Sequence, residues 1–512
     1  MIQLNAKQFV PAVCLLYSQM VAAQSATIAL TIDANTTFQT IDNFGASDAW
    51  ACQFVGNWPD AKKNAIADWL FSLDTMSNGN PKGIGLSLWR FNLGAGSSQQ
   101  ANASGIKDEW RRAGSFLETD GSYNWNRQAG EQWFLTAARQ RGVNNFLAFY
   151  NSPPVQFTKN KQAFAAVKGQ SNIDSTQYTA WAAYTVKALA AIQQKHAIRF
   201  NYISPINEPQ WDWSDGGQEG CPFTNQQISG AVKALSRQLQ QHKLPTKILL
   251  GEAGNIKYLL KEDDKPGKGN QVNDFWQRAS PNYVGNLVPL AKVIAGHSYF
   301  STAPYQQSVT LRKELATRVA AVNGLTFWQT EYCILGDNEG EISGNKRDTG
   351  MQSALYLART LHTDLAIANA AAWQWWLAIS PYDYKDGLIY IDKSKTDGNY
   401  YDSKMLWALG NYSRFIRPGM QRVAASFPAT TTDCFVSAYR DSKLHKLVAV
   451  IVNTGKATYS LNIQLPAGKR TKHLTQMTSY TTGVSSRLAR QQVTGSLDIQ
   501  PESIVTLVIP YQ

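Results

Sequence analysis

Two glutamates at the ends of short apolar runs are the residues of this sequence best placed to do chemistry. The run over 202–209 ends in Asn207-Glu208-Pro209, and the run over 325–333 contains Glu331. Runs of this kind are typical of β-strands whose carboxyl ends open onto a shared site. Two carboxyl groups in one site are what hydrolysis of a glycosidic bond requires, one as proton donor and the other as nucleophile or base.

The composition is typical of a globular protein with one large and one smaller domain. The chain has 512 residues, of which 44% are hydrophobic and 17% are charged. The net charge is +12, but the sequence has no dense run of basic residues and no nucleic-acid-binding motif, so we expect no nucleic-acid partner. The 16 tryptophans and 22 tyrosines include candidates for sugar binding, although many such rings pack in cores.

The first 23 residues have the features of a secretory signal peptide. Lys7 precedes an apolar stretch over 9–22, and small residues end this stretch at Ala22 and Ala23. We therefore predict cleavage near Ala23 and a secreted or periplasmic protein. No other stretch is long and apolar enough to span a membrane, so no membrane span is expected.

Four cysteines follow the predicted signal peptide: Cys52, Cys221, Cys333 and Cys434. Their spacing matches no zinc-binding pattern, and we expect neither a metal nor a cofactor. Disulfides are compatible with export, and a Cys52–Cys221 pair is one option. Buried free thiols are the other option, and the sequence leaves both open.

Strand-like and helix-like segments alternate through the middle of the chain and predict a (β/α)8 TIM barrel over 41–417. A doubly wound sheet is the competing fold, but it would normally show a glycine-rich phosphate loop after an early strand, and none is present. The predicted strands are 41–46, 85–92, 145–150, 202–206, 247–251, 293–299, 326–331 and 370–376. The predicted helices are 60–73, 129–141, 174–196, 225–242, 282–291, 308–322, 349–367 and 403–415.

Beyond the barrel the sequence predicts strands and turns only. Strand patterns lie at 436–439, 446–452, 459–465 and 504–509, which predicts a β-sandwich over 418–512. Residues 24–40 precede the barrel and contain a strand pattern that needs a partner. We predict that this strand completes the sandwich, so that both ends of the chain build one domain.

The strand count gives the two glutamates a location. Polar residues at the carboxyl ends of TIM-barrel strands face the active site. Glu208 lies just after the fourth predicted strand, and Glu331 is the last residue of the seventh. Asn207 could bind a sugar hydroxyl there, and Pro209 would fix the loop. The alternative is that Glu208 caps a helix and Glu331 is a surface acid, but two acids on these two strands favour an active site.

The chain resembles glycoside hydrolase family 30, within the clan of barrel glycosidases that carry an acid/base and a nucleophile on strands four and seven. The resemblance covers essentially the whole mature chain. No single motif is unique to the family, but the ordered set is specific. In chain order the motifs are Phe44-Gly-Ala-Ser-Asp48, Trp89-Arg90-Phe-Asn92, Ser152-Pro-Pro154, Asn207-Glu208-Pro209, His297-Ser-Tyr299, Thr330-Glu331-Tyr-Cys333 and Trp373-Gln-Trp-Trp376.

The resemblance implies a retaining mechanism with Glu208 as acid/base and Glu331 as nucleophile. It also implies that Arg90 lies near Glu331 and keeps it ionised, and that Tyr299 hydrogen-bonds the nucleophile. Asn207 would bind the hydroxyl next to the anomeric carbon.

Other residues of these motifs have less determined roles. His297 either lines the site or packs within its strand. Asp48 and Trp50 are expected in the innermost sugar subsite, although Asp48 could instead cap the helix that follows. Trp375 is the expected stacking platform for a sugar, and strand alternation requires one or two of its neighbouring tryptophans to be structural. In the loop after Glu208, Trp211 and Trp213 could form the leaving-group side of the cleft.

The sequence therefore predicts a secreted, monomeric, retaining β-glycosidase that acts on a polysaccharide or oligosaccharide. Family 30 includes enzymes for β-1,6-galactan, β-1,6-glucan, xylan, β-fucosides and glucosylceramide. The segment 44–50 and the aromatic loops look most like endo-β-1,6-galactanases, with β-1,6-glucanase and xylanase as alternatives. A non-catalytic carbohydrate-binding protein and a basic extracellular adhesin are alternatives of other classes.

Overall fold

The computed structural model describes residues 26–464 and 477–510, and it confirms the predicted barrel with a separate β-sheet domain. The predicted signal peptide and its cleavage point lie outside the described residues. Within these ranges no helix combines the length and the apolar character needed to cross a membrane.

Eight parallel strands form the barrel, and all eight were predicted. Each pairs with its neighbour along the chain, and the last also pairs with the first, which closes the cylinder. Nearly all their residues are buried, as expected for parallel strands covered by helices. Strand β1 (Ala26–Thr40) precedes the barrel, whose strands are β2 (Asn43–Ser47), β3 (Leu88–Asn92), β4 (Asn145–Phe149), β5 (Phe200–Ser204), β6 (Lys247–Ala253), β7 (Leu290–His297), β8 (Thr326–Glu331) and β9 (Ala370–Ser380).

Helices connect these strands, and side-chain caps define the starts of two of them, α6 and α11. Thr224 and Gln227 form a reciprocal capping box at the start of α6. The hydroxyl of Ser403 accepts the Leu406 N–H at the start of α11. The helices are α1 (Cys52–Val55), α2 (Asp60–Phe71), α3 (Ser97–Gln100), α4 (Ala129–Gln140), α5 (Tyr178–His196), α6 (Asn225–Gln241), α7 (Lys257–Leu260), α8 (Gln271–Trp276), α9 (Tyr305–Ala320), α10 (Met351–His362) and α11 (Lys404–Ser413).

The predicted helix at 282–291 is wrong. This segment consists of turns, and its last residues already belong to β7. Gly285 and Pro289 lie within it, and both residue types disfavour a helix interior. The short helices α7 and α8 occupy this part of the barrel wall instead.

Strand β9 extends beyond the barrel. Its carboxyl-terminal half pairs with β10 (Gly387–Ile391), which in turn pairs with β11 (Tyr400–Asp402). Neither of these two strands was predicted. They lengthen the barrel sheet on the side where β9 leaves the cylinder.

The second domain is a nine-stranded sheet built from both ends of the described chain. Strand β1 lies within this sheet, antiparallel to β12 and parallel to β15, as predicted for an N-terminal strand that completes the domain. The other strands are β12 (Gln421–Ser426), β13 (Cys434–Asp441), β14 (Lys446–Asn453), β15 (Tyr459–Gln464), β16 (Met477–Thr482), β17 (Ala489–Val493), β18 (Leu497–Ile499) and β19 (Ser503–Pro510). Strands β12, β16, β17 and β18 were not predicted.

The continuous apolar run in β14 serves two cores. Leu447, Ala449 and Ile451 pack in the core of the second domain, whereas Val448, Val450 and Val452 pack against the barrel. Alternation along the strand sends the two sets to opposite faces. The sheet is therefore buried against the barrel on one side and builds its own core on the other.

All four cysteines in the described part of the chain are buried free thiols, so no Cys52–Cys221 bridge forms. Cys221 accepts a hydrogen bond from the backbone N–H of Asn172. Of the two alternatives that the sequence left open, the structure shows buried free thiols.

The sheet domain should depend on its N-terminal strand. Leu30 is fully buried in β1, so we expect Leu30→Ala to lower the free energy of unfolding by about 2–5 kcal/mol. The exposed neighbour Thr31 is the matched control, and Thr31→Ala should change it by no more than about 0.5 kcal/mol. Urea unfolding of both variants measures the difference. Equal losses would contradict the placement of β1 in this core.

Candidate active site

The carboxyl ends of the barrel strands bring five ionisable side chains into one buried cluster. They are Arg90 of β3, Glu208 just after β5, Glu252 of β6, His297 at the end of β7 and Glu331 at the end of β8. None is more than 6% exposed. Because water is largely excluded, each charge must find its partners within the protein.

Glu331 is held by donors on both carboxylate oxygens. Arg90 donates to Oε2 at 2.5 Å, and the Tyr299 hydroxyl donates to Oε1 at 3.2 Å. A second nitrogen of Arg90 donates to Oδ1 of Asn207 at 3.0 Å. This network orients Glu331 and ties it to the residue that precedes Glu208.

Glu208 has a left-handed backbone, with φ of 43°. Its N–H donates to the carbonyl oxygen of Glu252 at 2.9 Å, and its own carbonyl accepts the indole N–H of Trp213. Its carboxyl Oε1 lies 2.8 Å from Nδ1 of His297. One carboxylate oxygen of Glu208 and one of Glu331 lie within 4.8 Å of each other.

Glu252 is a member of the cluster that the sequence analysis missed. It is fully buried, and its Oε2 accepts from Nε2 of His297 at 2.8 Å and from the Thr330 hydroxyl at 2.6 Å. The same oxygen lies 3.7 Å from Arg90. Glu252 directly follows the predicted strand 247–251, so the rule that located Glu331 could have located it too.

The electrostatics of the cluster follow from these contacts. Burial alone would lower the pKa of His297, but the charge of Glu331 and the hydrogen bonds to Glu208 and Glu252 raise that pKa to about 10. Burial alone would raise the pKa of Glu252, but the His297 bond and the Arg90 charge lower it to about 2. Burial raises the pKa of Glu331, Glu208 adds to the increase, and the charges of His297 and Arg90 oppose it.

The charges balance when one proton is shared by the two predicted catalytic acids. Arg90 and His297 are cations, and Glu252 is an anion. One further negative charge, on either Glu208 or Glu331, would make the cluster neutral. Neighbouring carboxyls in a buried site commonly share a proton in this way.

Glu208, His297 and Glu331 are close enough to surround a metal ion. Both ring nitrogens of His297, however, face carboxylate oxygens, with Nδ1 2.8 Å from Glu208 and Nε2 2.8 Å from Glu252. These contacts favour a hydrogen-bonded charge network over a metal centre.

A cavity of about 470 Å³ opens over the cluster. Glu208, Glu331, Asn207 and Tyr299 reach its wall, whereas Arg90 and His297 are fully buried behind it. Aromatic rings supply much of the remaining wall. They are Trp211, Trp213, Phe300 and Trp376, of which the first two were predicted.

Trp375 is not at the cavity wall, and Trp376 lies there instead. Trp375 is fully buried, and its indole N–H donates to the carbonyl oxygen of Asp386 at 2.7 Å. On β2, Ala46 pairs with Trp375 but the next residue, Ser47, pairs with Leu377. Trp376 is thus the extra residue of a β-bulge, which changes the direction of a side chain relative to simple alternation.

Asp48 and Trp50 also do not reach the wall formed by the described residues. Asp48 accepts the Asn92 N–H at 2.8 Å, and burial raises its pKa well above the usual range. It does not cap the next helix, because α1 begins four residues further on, at Cys52, without a side-chain cap. Trp50 packs edge-on against Trp376 with 5.3 Å between ring centroids and so supports the cavity wall from behind.

The loop between Glu208 and α6 is anchored by a buried acid. Glu219 accepts hydrogen bonds from the Ala95 N–H at 2.9 Å and from the Ser97 hydroxyl at 2.6 Å. Burial raises the pKa of Glu219 to about 7, although these bonds oppose the increase. The loop that carries Trp211 and Trp213 is thereby joined to the loop after β3.

Glu252 should keep His297 protonated. In Glu252→Gln the histidine loses an anionic partner, so we expect its pKa to fall by at least about one unit, which corresponds to about 1.4 kcal/mol. Titration of histidine-labelled protein by NMR measures this change, and the spectrum of His297→Asn assigns the signal. The exposed acid variant Glu262→Gln is the control. An unchanged titration in Glu252→Gln would contradict the role.

Glu219 should make stability depend on pH. Its pKa is about 7 in the folded protein and about 4.5 when unfolded, so the folded state retains a proton that the unfolded state loses. This contribution is present below pH 4.5 and is lost as the pH rises through 7. The melting temperature of wild type minus that of Glu219→Gln should therefore fall between pH 5 and 7.5. The melting temperature of wild type minus that of the control Glu262→Gln should not follow this trend. A difference between wild type and Glu219→Gln that does not change with pH would refute the assignment.

Comparisons with known proteins find relatives and similar structures along most of the chain. A curated endo-β-1,6-galactanase from Hypocrea rufa is 25% identical over 472 residues, which cover 88% of this chain and 87% of the relative. A solved structure of a conserved exported protein from Bacteroides fragilis is 33% identical, with a TM-score of 0.86 over 94% of this chain and 100% of that one. The catalytic domain of a xylanase from Talaromyces cellulolyticus shares the fold at 19% identity, with a TM-score of 0.68 over 94% and 99% of the two chains.

The family model for O-glycosyl hydrolase family 30 matches residues 27–390, which include the whole cluster of ionisable side chains. This match extends over most of the chain and confirms the resemblance noted in the sequence. The protein belongs to O-glycosyl hydrolase family 30 and is a glycosidase.

Proposed function

We propose that this glycosidase is an exported retaining enzyme in which Glu331 is the nucleophile and Glu208 the acid/base. The observation that carries the proposal is the approach of their carboxylate oxygens to within 4.8 Å. Carboxyl groups about 5–5.5 Å apart suit a retaining mechanism, whereas inversion needs about 6.5–9.5 Å to admit water.

The different surroundings of the two acids support their different roles. Glu331 receives hydrogen bonds from Arg90 and Tyr299, which favour its ionised form and fix its direction of attack. In the described structure Glu208 is bonded through Oε1 to His297, and Oε2 is left for the leaving group. An oriented carboxylate and a carboxyl with one free oxygen are what the two roles require.

In the first step Glu331 attacks the anomeric carbon and forms a glycosyl ester. The bond to the leaving oxygen breaks, and Glu208 transfers its proton to that oxygen. The negative charge of Glu331 is lost in the ester, while Glu208 becomes the anion. The total charge of the cluster is unchanged, so its cations remain balanced.

In the second step Glu208 takes a proton from a water molecule, which attacks the anomeric carbon from the face that the leaving group vacated. The ester bond breaks, and Glu331 becomes a carboxylate again. The protonated His297 stabilises Glu208 while it is ionised. Two inversions at the same carbon give net retention.

The sugar between the two acids would be held by Asn207 and Trp376. Arg90 donates to the Asn207 carbonyl, which orients the amide so that its NH₂ group can donate toward the hydroxyl next to the anomeric carbon. Trp376 offers a ring face within the cavity wall, supported from behind by Trp50.

We propose β-1,6-galactan as the substrate and cleavage within the chain as the mode of action. The similarity to an endo-β-1,6-galactanase along most of both chains supports this substrate. An open cavity with aromatic walls is compatible with a polymer. β-1,6-Glucan and xylan remain the alternatives. The predicted signal peptide and the relative described as exported support secretion.

Removal of either acid should abolish turnover. We expect wild type to release oligosaccharides from β-1,6-galactan rather than from β-1,6-glucan or xylan, with the β-anomer as the first product by NMR. Glu331→Gln and Glu208→Gln should each lower kcat at least about 10³-fold, whereas the exposed Glu262→Gln should match wild type. Equal rates in Glu331→Gln and wild type would refute the catalytic assignment, and binding without hydrolysis by wild type would favour a carbohydrate-binding protein.

Azide distinguishes the two roles. In Glu208→Ala azide can attack the glycosyl ester on Glu331, which gives a β-glycosyl azide. In Glu331→Ala azide can enter from the side of the missing carboxylate, which gives an α-glycosyl azide from an activated β-glycoside. The opposite pattern of products would exchange the two assignments.

A further inference from the structure

A second cavity lies next to the catalytic one, and the mechanism does not use it. It has a volume of about 410 Å³ and is bounded by Phe300 and by the first turns of α9. Phe300 also belongs to the wall of the catalytic cavity. The two cavities are therefore neighbours that share Phe300 as a lining residue.

Phe300 has an unusual conformation for a large residue. Its φ is 53°, in the left-handed region, where a bulky side chain is a genuine outlier and the backbone costs about 1–3 kcal/mol. The side chain is nevertheless 59% exposed. Single exposed apolar residues are common, but one that is strained and placed between two cavities points to binding.

Neighbouring residues hold the Phe300 ring in place. Trp211 packs edge-on against it, with 6.1 Å between ring centroids. Gly336 packs closely against the ring, because a β-carbon added to Gly336 would lie 3.3 Å from a ring atom of Phe300. The Asn255 amide donates to the Phe300 carbonyl at 3.2 Å. The ring is thus a fixed surface against which a ligand can stack.

The other wall of the second cavity is polar and suits neutral sugars. Gln306, Thr310 and Glu314 are spaced four residues apart on α9, so they lie on one face of the helix. All three line the cavity, and Gln307 lies beside them. Amide, hydroxyl and carboxylate groups can bond sugar hydroxyls, while the charge of Glu314 disfavours an acidic sugar.

We propose that the second cavity is a distal subsite for the same polysaccharide, with Phe300 as the stacking platform between it and the catalytic cavity. This inference rests on the proposed function, because it assigns the second cavity to sugar units beyond those nearest to Glu208 and Glu331. On this proposal, Phe300 and the exposed face of α9 give the enzyme a preference for long polysaccharide chains over short oligosaccharides.

The length dependence of hydrolysis tests the subsite. With β-1,6-galacto-oligosaccharides of two to six units, wild-type kcat/KM should rise with length. In Phe300→Ala the ratio of kcat/KM for the longest substrate to kcat/KM for the shortest cleaved substrate should fall about tenfold, as expected for the loss of one stacking contact. Gln307→Ala should lower the same ratio, and Phe300→Trp should retain it.

Controls separate binding from damage to the fold. Val288 is an exposed apolar residue just before the amino-terminal end of β7, whereas the active site lies at the carboxyl ends of the strands. Val288→Ala should therefore leave the dependence of kcat/KM on substrate length intact. Phe300→Asn places a residue that tolerates a left-handed backbone at position 300, so it should keep the melting temperature and still lose the long-chain preference.

The outcomes are distinct. If wild type hydrolyses no oligosaccharide or polymer of the galactan, glucan and xylan panel, the proposed function fails and this inference fails with it. If wild type is active but the Phe300→Ala effect is equal for short and long substrates, Phe300 serves only the catalytic cavity, and the distal subsite is refuted. The distal subsite would also be refuted if neither Phe300→Ala nor Gln307→Ala lowered kcat/KM for the longest substrate. If another polymer of the panel is the substrate, its oligosaccharides replace the galactan series.

Discussion

The buried network of Arg90, Glu252, His297 and Glu331 is the constraint on which the site depends. Moving such charges out of water costs several kcal/mol for each ion, and only well-placed partners offset that cost. Here each partner comes from a different strand of the barrel. The alignment of β3, β6, β7 and β8 is therefore a condition for a neutral, hydrogen-bonded cluster.

This network also places Glu208 and Glu331 in different surroundings although they are close. Arg90 and Tyr299 bind one of them, and His297 binds the other. Glu252 is not among the described residues that line the catalytic cavity, but its low pKa and the high pKa of His297 depend on each other. A glycosidase needs a proton on one acid and a charge on the other, and the surrounding residues supply that asymmetry.

Around the network, loops and the second domain supply the surfaces. Glu219 joins the loop after β5 to the loop after β3, so the aromatic wall is held by a buried acid rather than by a disulfide. The β-sheet domain packs on α10 and α11, and the Asn411 amide donates to the Thr506 hydroxyl at 2.9 Å. Barrel and sheet consequently share one continuous apolar contact.

The sequence by itself determined the eight barrel strands, the N-terminal strand of the sheet, and the positions of Glu208 and Glu331, because strand alternation and strand order are local patterns. It also contained the position of Glu252, which was overlooked. Only the tertiary structure decided that Trp376 rather than Trp375 faces the cavity and that the cysteines remain thiols. These outcomes depend on the register between strands and on which buried groups meet. Such distances are set when segments far apart in sequence pack together, and no periodicity along the chain encodes them.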